Sequence, residues 1–151
     1  AIELVERVVA LVRGGLEARG VEVRIEDDSR GAEVFADPAQ MQQMLLNLTE
    51  NAAQATERLR RPAWIEYVVS ADDEFVRMQV LDNGRGILEE DLPEATEVFF
   101  SRRKGGTGLG LAIVDRIVKS HDGRMRIESE FGVGTTVTVE IPRRSSPEGG
   151  R

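Results

Sequence analysis

Hydrophobic and polar positions along this chain change their period several times, and each change marks an element. Ile2, Val5, Val8 or Val9, Val12 and Leu16 recur on one helical face, with Glu3, Glu6, Arg7 and Arg13 between them. This predicts a helix over 2–18, stopped by Gly20. Val21-Glu22-Val23-Arg24-Ile25-Glu26 alternates strictly, as a half-buried strand does. Asp27 to Gly31 reads as a turn and Ala32 to Ala36 as a short partner strand. Asp37-Pro38-Ala39-Gln40 opens a second helix: Asp37 caps it, Pro38 suits the first helical position, and Gln40 completes a capping box. Its apolar stripe is Met41, Leu45, Leu48, Ala52, Ala55 and Leu59. Residues 65–70 and 75–81 are strand-like and flank the turn Ala71-Asp72-Asp73-Glu74, a hairpin. A third amphipathic helix carries Ile113, Val114, Ile117 and Val118 and ends at His121-Asp122-Gly123, with Gly123 as its cap. Residues 125–128 and 136–141 are two more strands, with Phe131-Gly132-Val133-Gly134 as a turn between them. After Pro142 the polar stretch Arg143 to Arg151 is expected to be disordered. The element order suits an α+β sandwich, but the order of strands in the sheet does not follow from periodicity.

The third helix is preceded by chemistry. Gly105, Gly106, Gly108 and Gly110, with Thr107, run straight into it. Glycine lets backbone N–H groups approach a ligand closely, and a helix start offers unpaired N–H groups and a partial positive charge. Together they suit an anion, most plausibly phosphate. No Gly-Lys pair occurs, so this is not a Walker A loop, and the dinucleotide spacing ends on Leu111 or Ile113 instead of glycine. A helix that merely follows a flexible turn is the plainer alternative.

Two further places invite a ligand. Asn47, Asn51 and Gln54 share a face of the second helix. Asparagine is a mediocre helix former, and a carboxamide oxygen can ligate a hard cation such as Mg²⁺; a solvated polar face would look the same. Asp82 stands where the 75–81 strand runs into Asn83-Gly84-Arg85-Gly86. Its carboxylate can accept a hydrogen bond from an exocyclic amine, or can simply stabilise its own loop as an Asx-turn. The connection Leu88 to Lys104 holds Phe99, Phe100 and the basic run Arg102-Arg103-Lys104. It is long enough to be functional or mobile, and Phe100 reads better as core.

Composition narrows the classes. The 151 residues suit one domain with a real core. Lys and Arg number 20 against 27 Asp and Glu, a net charge of −7, which argues against a nucleic-acid binder. There is no cysteine, hence no disulfide, thiolate metal site or cysteine nucleophile. The absence of disulfides fits a cytosolic setting, and no apolar run approaches the ~20 residues that span a bilayer; the expectation is a cytoplasmic domain without membrane contact, in a parent protein that is free to be membrane-anchored. The chain begins at Ala1 inside a helical pattern, which reads as a piece of a longer protein.

Taken together, the motifs resemble the catalytic ATP-binding domain of sensor histidine kinases, in the superfamily that includes gyrase-type and mismatch-repair ATPases. Asn47-Leu48-Thr49-Glu50-Asn51-Ala52 looks like the N box and Asp82-Asn83-Gly84-Arg85-Gly86 like the G1 box. Phe99-Phe100 with its basic run looks like the F box and lid, Gly106-Thr107-Gly108-Leu109-Gly110-Leu111 like the G2 box, and Gly132-Val133-Gly134-Thr135-Thr136 like the last glycine motif. The wording Asn51-Ala52-Ala53-Gln54-Ala55 and the paired phenylalanines look closest to the nitrogen-regulator type.

The resemblance implies a Bergerat fold over residues 1–142: a two-layer α/β sandwich, mixed and mainly antiparallel, with helices on one face and ATP under a mobile lid. It implies that Asp82 binds the adenine amine, with Gly84, Gly86, Ile87 and Thr135 nearby. Asn51 would ligate Mg²⁺ with Asn47 alongside. Gly106, Gly108 and Gly110 would bring N–H groups to the phosphates, with Thr107, Leu109 and Leu111 lining the same stretch. Arg102, Arg103 or Lys104 would neutralise the γ-phosphate. The implied activity is transfer of that phosphoryl group to a histidine on a separate dimerisation domain, and from there to a response regulator. A gyrase-type ATP-hydrolysing switch and a non-catalytic nucleotide-binding module are the alternatives. Three departures stand out: Gln54 where many members carry Lys or Arg, Val98-Phe99 for the usual Pro-Phe, and Asp122 for the first glycine of His-Gly-Gly. His121, the one histidine, is expected to serve the helix end and not to accept phosphate.

Overall fold

Period-two alternation sorts the strands of this chain into a helix-facing side and an open side, and the register makes the sorting continuous. A computed structural model describes residues 1–86 and 109–143. In chain order these are α1 (Ile2–Ala18), β1 (Val21–Asp28), α2 (Pro38–Ala55), β2 (Ala63–Ala71), β3 (Phe75–Asp82), α3 (Leu109–Ser120), β4 (Arg124–Glu130) and β5 (Gly134–Pro142). They form one sheet in the order β1-β2-β3-β5-β4, parallel only between β1 and β2. Tyr67, Val80, Val137 and Ile127 fall in one cross-strand row, and Val69, Met78, Val139 and Met125 in the next. Val23, Ile65, Val76 and Ile141 continue that buried face. It packs against Val5, Val8 and Leu16 of α1, Met44, Leu45 and Leu48 of α2, and Val114 and Val118 of α3. Burial of these side chains is the main force holding the two layers together.

The open face is polar. Arg24 lies over the Trp64 ring, and Glu140 is shared between Arg77 and Arg124 across three strands. One polar contact crosses the core: Thr49 Oγ1 donates to the Leu45 carbonyl (2.8 Å), leaving it to accept from the buried Tyr67 hydroxyl (2.6 Å). That satisfies both hydroxyls in a place where an unpaired one would be costly.

Several local expectations are corrected. α2 stops at Ala55 with Thr56 as its C-cap, so Leu59 lies beyond the helix. Ala32 to Ala36 is not a strand; only Val34 makes an isolated bridge, to Arg143. Asp37 caps α2 as expected, accepting from Ala39 N and Gln40 N. The reciprocal arm of the capping box is replaced, however: the Asp37 N–H goes to His121 Nε2 (3.2 Å). At the end of α3 the left-handed residue is Asp122 (φ +61), not Gly123. Gly123 is needed for a different reason, since a Cβ there would collide with the Glu140 carbonyl oxygen. The expected disorder after Pro142 concerns residues 144–151, which lie outside the described residues. Arg143 itself is tied to the hairpin turn through Glu74 O and Asp72 O.

Candidate functional site

The alternation that buries Val76, Met78 and Val80 carries one step further and puts Asp82 on the same inward face. Only 7% of Asp82 is exposed. Its carboxylate accepts the Gly84 N–H (2.8 Å) and a second backbone N–H from Thr135, its register partner on β5. Burial pushes the Asp82 carboxyl up to about 6, against the pull of the two N–H groups and of the Arg85 charge. The Asx-turn is thus present, through the Gly84 N–H. Two N–H donors use part of a carboxylate's capacity for about four hydrogen bonds.

The loop after Asp82 is pinned on every side. Asn83 Oδ1 accepts Trp64 N (2.8 Å) and its Nδ2 donates to Pro62 O (2.7 Å). Arg85 N–H donates to Ala55 O (3.0 Å), Gly132 N–H to Arg85 O (2.6 Å), and the Arg85 side chain reaches Gln54 O. Gly84 lies against Ala55, Gly86 against Glu130 O and Gly134 against Asp82 O, too close in each case for a side chain. These glycines let three segments meet: the end of α2, the loop after β3, and the β4–β5 turn. The packing explains Gly84 and Gly86 without a ligand. Thr135 stands beside Asp82 as expected, its hydroxyl bonded to Ser129 Oγ (2.7 Å).

On α2, Asn47 and Asn51 are one turn apart, and both Nδ2 atoms are buried with no hydrogen-bond partner among the described residues. Oxygen and nitrogen of a carboxamide exchange places by a half-turn of χ2, and their assignment follows from partners. The pair thus offers donors to phosphate oxygens or an acceptor to a hard cation. Among the described residues no group of three or more His, Cys, Asp or Glu exists to hold a metal by itself. Asn51 and Asn47 could each lend a carboxamide oxygen to a cation whose other ligands come from elsewhere. Gln54 lines, with Glu50, the groove between α1 and α2. His121 is engaged locally, with Nδ1 at 2.8 Å from Ile117 O and Nε2 accepting from Asp37.

Ile87, Phe99, Phe100, Arg102, Arg103, Lys104, Gly106, Thr107 and Gly108 lie outside the described residues, and so does the expected lid. Leu109 and Gly110 open α3, and Leu111 is a core residue, 8% exposed. Sequence reasoning missed Arg61, whose Nη2 donates to Asn83 O (2.6 Å) and Gly84 O (3.1 Å) and reaches Val133 O (3.5 Å). In sequence it is one arginine of a polar Arg-Leu-Arg-Arg run, without any pattern to mark it.

Residues 36–145 match the family model described as histidine kinase-, DNA gyrase B-, and HSP90-like ATPase. The sensor protein FixL of Bradyrhizobium diazoefficiens is 32% identical over 140 residues, covering 93% of this chain and 28% of that protein. The chain thus spans well under a third of that relative. The catalytic domain of histidine kinase ThkA superposes with a TM-score of 0.82 at 30% identity, covering 93% of this chain and 92% of that one. ThkA has also been solved in complex with the response regulator protein TrrA. Full-length ShkA in complex with AMPPNP gives a TM-score of 0.84 at 29% identity, covering 95% of this chain and 30% of that one. No described helix is long and apolar enough to cross a membrane.

Proposed function

This chain belongs to the histidine kinase-, DNA gyrase B-, and HSP90-like ATPase family as a histidine-kinase ATP-binding catalytic domain, and from that premise we propose that it binds Mg²⁺-ATP and donates the γ-phosphoryl group to a histidine on a separate dimerisation domain. A response regulator then receives the phosphoryl group, in a cytoplasmic two-component system of the nitrogen-regulator type. Neither nucleic acid nor membrane is a partner of this domain.

The observation that carries this reading is the Asp82 carboxylate, buried at a strand end and held by two backbone N–H groups, with acceptor capacity beyond those two. The adenine amino group is such a donor. Gly84, Gly86, Ile87 and Thr135 would frame the base. Asn51 and Asn47 would face the phosphates with amides that have no partner among the described residues. Gly106, Thr107, Gly108, Leu109, Gly110 and Leu111 would follow the phosphates with backbone N–H groups at the start of α3. Arg103 and Lys104, with Arg102, would offset the γ-phosphate charge. Mg²⁺ would supply charge neutralisation across the phosphate oxygens when bound. Catalysis by these residues is positioning and charge stabilisation, as in phosphoryl transfer generally.

Hydrolysis in the gyrase manner needs a carboxylate base one turn before Asn51. That position is Asn47, whose amide cannot take a proton from water. Glu50 is exposed and borders the α1–α2 groove instead. Slow hydrolysis by the isolated chain is therefore expected.

Isothermal titration with Mg²⁺ and a non-hydrolysable ATP analogue tests the proposal. The expected Kd is on the order of micromolar to sub-millimolar, because ordering costs offset part of the contact energy. Asn51→Ala should abolish the Mg²⁺-dependent share of that affinity and spare the rest. A folded sample that takes up no nucleotide at millimolar concentration rejects the proposal.

A further inference from the structure

We infer that Arg61 is a positioning residue for nucleotide recognition: its guanidinium orients the peptide units that aim the loop N–H groups at Asp82 and at the end of α2. The inference rests on the reading that Asp82 binds the base.

In a planar trans peptide the carbonyl and the N–H point in opposite directions, so holding one aims the other. Arg61 Nη2 holds the Asn83 carbonyl (2.6 Å), and the N–H of that same peptide unit, on Gly84, donates to Asp82 Oδ1 (2.8 Å). Arg61 also holds the Gly84 carbonyl (3.1 Å), and the N–H of that unit, on Arg85, donates to Ala55 O (3.0 Å). One cation therefore fixes two successive peptide planes. The first sets the carboxylate that meets the base; the second locks the loop to the helix that bears Asn51. Val133 O at 3.5 Å brings the β4–β5 turn to the same charge, and that turn leads into Thr135, the other donor to Asp82. A guanidinium on a carbonyl also polarises the peptide, which strengthens its N–H as a donor. Lysine would keep the charge, but its ammonium sits on a flexible stem without a planar group to hold its direction toward these carbonyls.

The test compares the wild-type chain with Arg61→Gln and Arg61→Lys. Affinity is read by titration with Mg²⁺ and AMPPNP, thermal melting reports the fold, and the protonation midpoint of the Asp82 carboxyl is read by carbon NMR without nucleotide. Arg61→Gln should weaken AMPPNP binding about tenfold, as loss of an orienting partner commonly does, and should raise the Asp82 midpoint. Arg61→Lys should recover part of both. A folded Arg61→Gln with wild-type affinity and an unmoved midpoint overturns the inference. Should Arg61→Gln not fold, Arg61→Lys decides alone: a raised midpoint supports the inference and an unmoved one overturns it. Failure of the wild type to bind AMPPNP would defeat the nucleotide reading, whereas the nucleotide-free midpoint would still judge what Arg61 does to Asp82.

Discussion

One aspartate sits in the turn just before strand β3 and another closes the strand, and the two are held in opposite ways. Asp72, in the hairpin turn before β3, is half exposed and accepts Glu74 N, Phe75 N and Arg77 Nη2 at 2.7–2.8 Å. The Phe75 and Glu74 N–H groups and then the Arg77 guanidinium hold its carboxyl at about 2. Asp82, at the far end, accepts two N–H groups as well but is buried, and burial pushes it up to about 6. The turn rewards its charge; the loop tolerates it at a cost. A carboxyl pushed up by burial in this way contributes less to stability when charged than one held by exposed N–H groups and a guanidinium.

The signs follow from linkage. The Asp72 value lies below the unfolded ~3.9, so its stabilisation is present above about pH 4 and lost as pH falls toward 2. The Asp82 value lies above it, so stability is full below about pH 4 and is lost as pH rises through about 6.

Four substitutions break or sharpen this contrast. Gly134→Ala has the largest expected effect. A Cβ there meets the Asp82 carbonyl oxygen at a φ of +155 that side chains rarely adopt, and the seam behind Asp82 cannot close. Denaturant melts should show a loss of about 3 kcal/mol or more. Asp82→Asn comes next and should split stability from binding. Nucleotide affinity should fall by roughly 1–3 kcal/mol, because the amide NH₂ faces the adenine donor. Without nucleotide, the variant should gain on the wild type as pH rises from about 4 through about 6, by at most roughly 3 kcal/mol, the cost of ionising Asp82, and hold that gain above about pH 7. Parallel pH profiles for the two proteins would show that Asp82 is an ordinary loop carboxylate. Asp72→Asn should lower the melting temperature at neutral pH, lose the difference near pH 2, and leave AMPPNP affinity unchanged. The smallest effect is away from both ends: Asp122→Gly relieves a left-handed residue after α3 and should stabilise by roughly 0.5–1 kcal/mol.

Legibility in the sequence varied with contact distance along the chain. The bounds of α1, the Asp37 cap, the β2–β3 hairpin and the strand-end position of Asp82 are all local, and periodicity and turn chemistry located them. The family resemblance was legible because several short patterns occur in one order. Arg61 was not, because its three carbonyls lie 22 to 72 residues away in the chain. The Gln40 arm of the capping box failed for the same reason, since its place was taken by His121, 84 residues on.

By itself the sequence determined which side of each element turns inward, where the helices start, and which residues are candidates for the chemistry, because these depend on spacings of a few residues and on side-chain type. Only the tertiary structure decided that β5 inserts between β3 and β4, that Thr135 thereby comes to face Asp82, and that Glu140 sits between two arginines. It also decided the protonation of Asp82. An alternating strand announces a buried end position, but the free energy of a charge there depends on how far water is excluded and on which N–H groups arrive from other segments. Those quantities exist only once the layers have packed.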